Sequence, residues 1–257
     1  YESTVYPGCT DNRFVSELCK YTNLEFNKDF SVGYSPERIN PGDKNKTIKN
    51  INKLVSASNK KALKKIKLVY EKIVVNAKVI PTKSIIIAES AKIIENTQRD
   101  LNIALINEFS KILKKLKVPS NDVLKAANTK WNFLNFHPGL VGGHCIGVDP
   151  YYLAFAAQKN GINPKLILAG RDINENYFME VVNDIKKISK YKNINLKKSK
   201  VLICGLAFKK NTPDLRNSQT YKIYKNLIKK VDYIDLYDPL VKNPEINKVY
   251  NKNSIKK

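Results

Sequence analysis

The residues best suited to chemistry lie in one glycine-rich segment, residues 139 to 150, which reads GLVGGHCIGVDP. Glycines let the backbone approach a ligand closely and leave the thiol of Cys145 accessible. The residues from Pro150 onward have a helical pattern, and the N-terminus of a helix favours a nearby thiolate. Cys145 is therefore a candidate nucleophile, and a tight turn around a buried cysteine is the alternative that spacing leaves open.

A second candidate group is polar and follows helical spacing. Glu89, Lys92 and Asn96 are three and seven positions apart, so they share one face of a predicted helix. An ammonium and an amide on one face can stabilise an oxyanion or position a water. An ordinary exposed helix face is the alternative.

The third candidate is the segment FKKNTPDLR, residues 208 to 216, which directly follows a buried-strand pattern. Open α/β sheets bind ligands outside the carboxyl ends of their strands. Lys209, Lys210 and Arg216 at that position suit a diphosphate, and a solvated loop is the alternative.

Composition excludes several classes of protein. The chain has 257 residues, 42% hydrophobic and 27% charged, with 46 basic and 23 acidic residues. A net charge of +23 attracts polyanions, so a basic nucleic-acid-binding module without catalysis is an alternative of another class. Only five of the basic residues are arginine and the lysines are spread along the whole chain, which favours a solvated lysine surface with no specific nucleic-acid partner.

The four cysteines form no CxxC pair and the chain has two histidines, so we expect no metal site. The sequence shows neither a signal peptide at its N-terminus nor an apolar run long enough to span a membrane. We therefore expect a cytoplasmic protein with free thiols and no membrane partner.

The elements that position these residues alternate between strand and helix, which predicts an α/β fold. A strand at 31–35, a helix at 59–74 and a strand at 85–87 come first. A helix of about 30 residues, 88–116, follows and would be about 40 Å long. Shorter helices are predicted at 122–127, 150–160 and 174–190, followed by a strand at 201–207, a helix at 220–229 and a strand at 233–237. The predicted domains are 1–82, 83–196 and 197–257.

Five blocks, in this order, resemble the UDP-glucose/GDP-mannose dehydrogenase family of NAD-dependent nucleotide-sugar dehydrogenases. They are ESTVYPG (2–8), GYSPERINPGDK (33–44), AESAKIIEN (88–96), the Cys145 segment and GLAFK (205–209). The sequence at 136–139 and 149–153 resembles the branch acting on UDP-N-acetylhexosamines more than it resembles the UDP-glucose branch. The former branch serves surface polysaccharides of the Vi-antigen type. UDP-glucose 6-dehydrogenase remains the alternative within the family.

The resemblance implies a partial Rossmann-like NAD-binding domain, a central helical domain and a partial Rossmann-like UDP-binding domain. It implies oxidation of the C6 alcohol to the uronate in two hydride transfers, with Cys145 forming a thiohemiacetal and then a thioester. Lys92 and Asn96 would stabilise the oxyanion, and Asp149 would handle protons together with Lys92.

The resemblance also implies roles for residues at the two nucleotide sites. Thr4 and Glu37 would position water and contact NAD, and Arg216 would touch the cofactor or the diphosphate. The UDP-sugar substrate would be bound by Lys209, Gly142, Gly143 and Arg38. The complete enzyme is expected to be a homodimer.

The sequence departs from the family pattern in one respect. None of the ten glycines is spaced as GxG, although the family opens with a GxGxxG turn that binds the NAD pyrophosphate. We therefore expect a fragment that carries the catalytic middle, lacks much of both nucleotide sites and is inactive alone. A split or decayed gene is a further alternative.

Overall fold

The computed structural model describes residues 1–39, 43, 45–252 and 254, and its contacts divide the chain into two compact units. The first unit comprises residues 1–97 and 149–164, and the second comprises 98–148 and 165–257. Four residues of the GYSPERINPGDK block, Asn40, Pro41, Gly42 and Lys44, lie outside the described residues. The three domains predicted from the sequence, 1–82, 83–196 and 197–257, do not coincide with these two units and stay a prediction.

The described residues form nine α-helices, five strands and two short helical turns of other types. The strands are β1 (Gly33–Tyr34), β2 (Lys53–Ala57), β3 (Val79–Pro81), β4 (Lys200–Cys204) and β5 (Tyr233–Tyr237). The helices are α1 (Ser16–Thr22), α2 (Lys60–Ile73), α3 (Ile85–Lys115), α4 (Ser120–Ala127), α5 (Asp149–Lys159), α6 (Lys165–Asn176), α7 (Phe178–Tyr191), α8 (Gln219–Leu227) and α9 (Asn243–Tyr250). A π-helical turn (Thr10–Val15) leads into α1, and a 3-10 turn (Leu196–Lys198) precedes β4.

The first unit contains a three-stranded sheet in the order β1-β2-β3. β1 is antiparallel to β2, and β2 is parallel to β3. Helix α2 begins where the side chain of Asn59 accepts a hydrogen bond from the Ala62 N–H at 2.9 Å, so the residue type fixes the start of the helix. A core cluster formed by Val15, Val32, Tyr34, Ile85 and Ala88 joins this sheet to the start of α3.

The predicted strand at 85–87 is wrong, because these three isoleucines form the first turn of α3. Ile85 is 3% exposed, whereas Ile86 and Ile87 are 46% and 45% exposed, which is helical and not strand periodicity. Burial of Ile85 and Ala88 in the core outweighs the strand preference of a β-branched run. The long helix itself is confirmed, three residues earlier than predicted.

The second unit contains a two-stranded parallel sheet, with β4 and β5 paired from Lys200 and Tyr233 to Cys204 and Tyr237. Strand β4 ends at Cys204, shorter than predicted, because Gly205 adopts a φ of +85°. The core beside the sheet is apolar and comprises Val182, Leu206, Ile223, Tyr224, Leu227, Val231, Ile234, Leu236, Val241, Ile246 and Tyr250.

The helix predicted at 174–190 covers the end of α6 and most of α7, and the structure interrupts it at Tyr177. Tyr177 keeps near-helical angles, φ −62° and ψ −27°, so the interruption leaves the apolar pattern almost continuous. Periodicity alone could not reveal it.

Candidate active site

A row of polar residues lies along one face of α3. Glu89, Lys92, Asn96, Asp100 and Asn107 follow each other at spacings of three, four, four and seven residues. Glu89, Asp100 and Asn107 are fully buried and Lys92 is 8% exposed. Buried polar groups are costly unless they are bonded, so the exposed-face alternative is wrong and these side chains serve specific contacts.

The carboxylate of Glu89 binds the turn that precedes α1. Its carboxylate accepts hydrogen bonds from the N–H of Gly8 at 2.6 Å, the N–H of Thr10 at 2.9 Å and the hydroxyl of Thr10 at 2.6 Å. Backbone donors at the start of a helical segment are orphans that an acidic side chain can satisfy. Glu89 therefore anchors the segment from Gly8 to α1.

Asn96 and Asp149 are joined directly. The Asn96 amide donates a hydrogen bond to Oδ2 of Asp149, which is the first residue of α5 and is 1% exposed. Burial, with the carboxylates of Glu89 and Asp149 adding to it, raises the pKa of Tyr34 above its usual value. Tyr34 and Asp149 are thus buried polar groups of the first unit, and Asp149 is bonded to the half-buried Asn96.

Thr4 and Glu37 each follow, by three residues, one of two neighbouring backbone segments, at Tyr1 and at Tyr34. The N-terminal amine of Tyr1 donates to the carbonyl of Gly33 at 2.7 Å, and the Ser35 N–H donates to the carbonyl of Tyr1 at 3.0 Å. This is the pattern of parallel neighbours, so the residues after each run out at one carboxyl end. Thr4 is half-buried and Glu37 is exposed.

Arg38 ties the loop that carries Glu37 to α3. Its guanidinium forms an ion pair with Glu95 and donates to the carbonyl of Asn52 at 3.2 Å. The Glu37 carboxylate accepts a hydrogen bond from the Ile39 N–H at 2.5 Å, within the same loop. No pattern in the sequence indicated these contacts.

Cys145 lies in the second unit, half-buried, in a run of turns that spans residues 143–148. Two of its glycines are required by packing. A Cβ added at Gly143, whose φ is +83°, would lie 2.7 Å from the Phe208 ring, and one added at Gly142 would lie 2.8 Å from the carbonyl oxygen of Asn217. The glycines therefore let the Cys145 turn pack closely on the loop that follows β4, a use that the sequence analysis did not foresee.

The loop after β4, residues 205–218, is fixed by the carboxylate of Asp238. One oxygen of that carboxylate accepts from the N–H groups of Leu206 at 2.8 Å and Ala207 at 3.2 Å, and the other accepts from Leu240 and Val241. Burial opposes ionisation here, but the four backbone donors prevail and lower the pKa of Asp238. The loop is thereby pinned to the end of β5.

The same loop carries cationic side chains. Arg216 is exposed and donates to both oxygens of Asp214, whose hydrogen bonds and charge raise the pKa of Arg216. Cys145 makes the smallest contribution to the raised pKa of Arg216. Nδ1 of His144 lies 3.9 Å from the Asp214 carboxylate, and Lys209 is half-buried in the same loop.

Further polar residues that the sequence analysis missed hold the Cys145 turn. The amide of Asn217 donates to the carbonyl of Gly143 at 3.1 Å, and that of Gln219 donates to the carbonyl of Val141 at 3.2 Å. Asn107 bonds Gly139 from α3. Asn107 alone had a sequence signal, since it continues the helical spacing of the polar row on α3.

Two kinds of feature are absent from the residues that the structure describes. No group of three or more His, Cys, Asp or Glu side chains there is arranged to hold a metal ion. Among the same residues, no helix combines the length and the apolar character that crossing a membrane requires.

Comparison with protein families assigns the whole succession of segments to one group. The NAD binding domain of the UDP-glucose/GDP-mannose dehydrogenase family matches residues 1–74, its central domain matches 87–176 and its UDP binding domain matches 202–257. The chain belongs to the UDP-glucose/GDP-mannose dehydrogenase family. The recognition made from the five sequence blocks is confirmed, and so is the three-part fold class.

Individual members of this family are similar to the chain over nearly all of its length. The chain is 49% identical to UDP-N-acetyl-D-glucosamine 6-dehydrogenase of Salmonella typhi over 250 residues. These residues make up 97% of this chain and 59% of that protein. The chain is 52% identical over 227 residues to protein CapL of Staphylococcus aureus, covering 88% of this chain and 53% of CapL. The chain thus spans between half and three fifths of the length of these relatives.

A solved structure agrees with the sequence comparisons. The UDP-D-ManNAc dehydrogenase of Pyrococcus horikoshii superposes with a TM-score of 0.85 at 32% identity, covering 94% of this chain and 56% of that one.

Proposed function

We propose that this chain forms the catalytic part of an NAD-dependent UDP-N-acetylhexosamine 6-dehydrogenase that serves surface polysaccharide synthesis. The observation that carries the proposal is the half-buried Cys145 on a glycine-lined turn, fixed against a loop that bears cationic side chains. The names of relatives at 49% and 48% identity, both UDP-N-acetyl-D-glucosamine 6-dehydrogenases, support this substrate class.

In the proposed reaction, Cys145 makes the second oxidation possible. Loss of one hydride and one proton converts the C6 alcohol to an aldehyde. The thiolate of Cys145 adds to the aldehyde carbon, and the oxyanion that forms takes up a proton to give a thiohemiacetal. This adduct loses a second hydride and a proton to leave a thioester. Water then hydrolyses the thioester, which releases the uronate and regenerates the thiol.

The polar residues of α3 and α5 supply charge stabilisation in this scheme. Lys92 and Asn96 donate to the oxygen that bears negative charge in each tetrahedral step, where fixed donors are most effective. Asp149, buried and bonded to the Asn96 amide, accepts and returns protons together with Lys92.

Thr4 and Glu37 fit the position of NAD, because each comes shortly after one of two backbone segments that run parallel to each other, and ligands bind beyond the carboxyl ends of such segments. When bound, NAD accepts the hydride in each oxidation. Thr4 and Glu37 also orient the water of hydrolysis. Lys209 and Arg216 carry positive charge that suits the diphosphate, and the remaining substrate contacts are proposed for Gly142, Gly143 and Arg38.

We also propose that the complete enzyme is a homodimer. Helix α3 exposes large apolar side chains along one side, with Leu105 at 46%, Phe109 at 40% and Ile112 at 49% exposure. Contiguous exposed apolar side chains mark interaction surfaces, and a second copy of the chain would cover them.

The test is oxidation of a panel of nucleotide sugars by the protein expressed from the complete reading frame that contains these residues. The panel comprises UDP-N-acetylglucosamine, UDP-N-acetylmannosamine, UDP-N-acetylgalactosamine and UDP-glucose, and NADH formation is the readout. We expect an N-acetylhexosamine to be preferred, and a preference for UDP-glucose would contradict the proposed substrate class. The 257-residue chain alone should give no NADH, since it has no GxG turn for the NAD pyrophosphate.

Cys145→Ala tests the nucleophile. It should lower turnover by about 10³-fold or more, because it removes the atom on which the intermediates form. Cys204→Ala is the matched control, because this exposed thiol on β4 has no proposed role. Turnover retained in Cys145→Ala would overturn the mechanism.

A further inference from the structure

The segment that carries Cys145 is held at several points by side chains from outside it. Two of these side chains, Asn217 and Gln219, precede or begin α8 and donate to the carbonyls of Gly143 and Val141. The first glycine, Gly139, is instead held from α3. A fixed turn positions its side chains more reproducibly than a loop with free ends.

The contact at Gly139 is made by Asn107 and is bidentate. The Asn107 Oδ1 atom accepts the Gly139 N–H at 2.8 Å, and its Nδ2 atom donates to the Gly139 carbonyl at 3.0 Å. Asn107 is fully buried. One side chain therefore satisfies both backbone groups of Gly139, as a neighbouring strand would.

A chain of buried hydrogen bonds fixes the orientation of that amide. Asn107 Nδ2 also donates to Oδ1 of Asn174 at 2.8 Å, and Asn174 Nδ2 donates to the Asp100 carboxylate at 2.8 Å. Arg171 donates to the same Asp100 oxygen at 2.7 Å. A flip of either amide would set like atoms against each other, so each orientation is determined by the next residue in the chain.

The far end of the Cys145 segment rests on the same chain of hydrogen bonds. A Cβ added at Gly147 would lie 3.8 Å from Nη2 of Arg171, whose guanidinium is 1% exposed and bound to Asp100. The network thus contacts the segment at Gly139 and lies beside it at Gly147. Cys145 stands between these two points.

We propose that Asn107 is a positioning residue for the Cys145 thiol, acting through Gly139. This inference rests on the proposed role of Cys145, and it adds the residue that positions the thiol. Asn107 contributes two hydrogen bonds to a single backbone residue of the segment that bears the thiol. Freeing Gly139 therefore loosens the segment while leaving its residue types intact.

The test compares Asn107→Leu, Asn107→Asp and the control Val182→Ala in the full-length protein. Val182 is fully buried in the core beside β4 and β5, against which Leu140 also packs, so its truncation lowers stability while every hydrogen bond to the Cys145 segment stays in place. The thermal midpoint is measured for each variant. The rate of carbamidomethylation of Cys145 by iodoacetamide is then measured by peptide mass spectrometry, with exposed Cys204 as the internal reference.

In Asn107→Leu we expect the ratio of Cys145 to Cys204 alkylation to rise by about threefold or more, because a half-buried thiol on a loosened turn becomes more accessible. We expect kcat to fall by roughly 10- to 100-fold with a smaller change in KM, since misplacing a reacting atom by about 1 Å has effects of this order. Asn107→Asp keeps the oxygen that accepts from Gly139 and should lie between the wild type and Asn107→Leu.

An alkylation ratio in Asn107→Leu equal to that of the wild type and of Val182→Ala overturns the proposal. If Asn107→Leu does not fold, the same comparison is made on Asn107→Asp. The alkylation ratio does not depend on turnover, so it decides the positioning role even if Cys145→Ala shows that the proposed reaction is wrong.

Discussion

Replacing Glu89 should destabilise the protein strongly, because its carboxylate is the acceptor for three hydrogen bonds from Gly8 and Thr10. A hydrogen bond to a charged group contributes about 1.5–3 kcal/mol, and removing the acceptor leaves buried donors unsatisfied. Glu89→Ala should therefore lower the free energy of unfolding by about 3–6 kcal/mol, allowing for incomplete additivity. Glu89→Gln keeps one oxygen for Thr10, loses the acceptor for Gly8 and should cost about 1–3 kcal/mol.

The assay is urea denaturation of the full-length protein followed by circular dichroism, with Glu108→Ala as the control. Glu108 lies on the same helix but is exposed, so its replacement should change the free energy of unfolding by no more than about 0.5 kcal/mol. If Glu89→Ala lowers the free energy of unfolding by less than about 1 kcal/mol, the anchoring role is refuted, because the loss of three hydrogen bonds should lower it by more.

Two further predictions concern the segments around Cys145. Gly143→Ala should lower the free energy of unfolding by about 1–3 kcal/mol, because its φ of +83° and the Phe208 ring leave no room for a Cβ; a thermal midpoint equal to that of wild type would contradict this. Asp238, whose pKa is lowered in the folded state, contributes stability above its unfolded pKa of about 3.9, and this contribution is lost as the pH falls through the lowered folded value. Asp238→Asn should therefore flatten the decline of stability in that acid range, as measured by urea midpoints, and an unchanged slope would count against the assignment.

Elements with strong local signals were predicted well. Helix α2 has clear apolar spacing and an Asn59 cap, and β5 was placed at its observed bounds, 233–237. The failure at 85–87 has a different origin. Three isoleucines favour a strand locally, and only the core against Tyr34 and Val32, far away in sequence, makes them a helical turn.

The candidate site divides in the same way. The roles of Lys92, Asn96 and Cys145 stay predictions, but these residues were recognisable from type and spacing because the proposed chemistry suits few residue types. The side chains that hold the Cys145 segment were not, since Asn217 and Gln219 are ordinary loop and helix-start residues whose partners lie more than 70 positions away. Their role depends on the fold, which spacing within one segment does not encode.

The measurement that tests the central claim most directly is the number of NADH molecules formed per UDP-N-acetylhexosamine consumed by the full-length protein and by Cys145→Ala. The account predicts two NADH and one uronate per sugar in the wild type, and neither sustained turnover nor uronate in the variant. Two NADH per sugar from Cys145→Ala would contradict it, because the second hydride would then leave without a sulfur adduct.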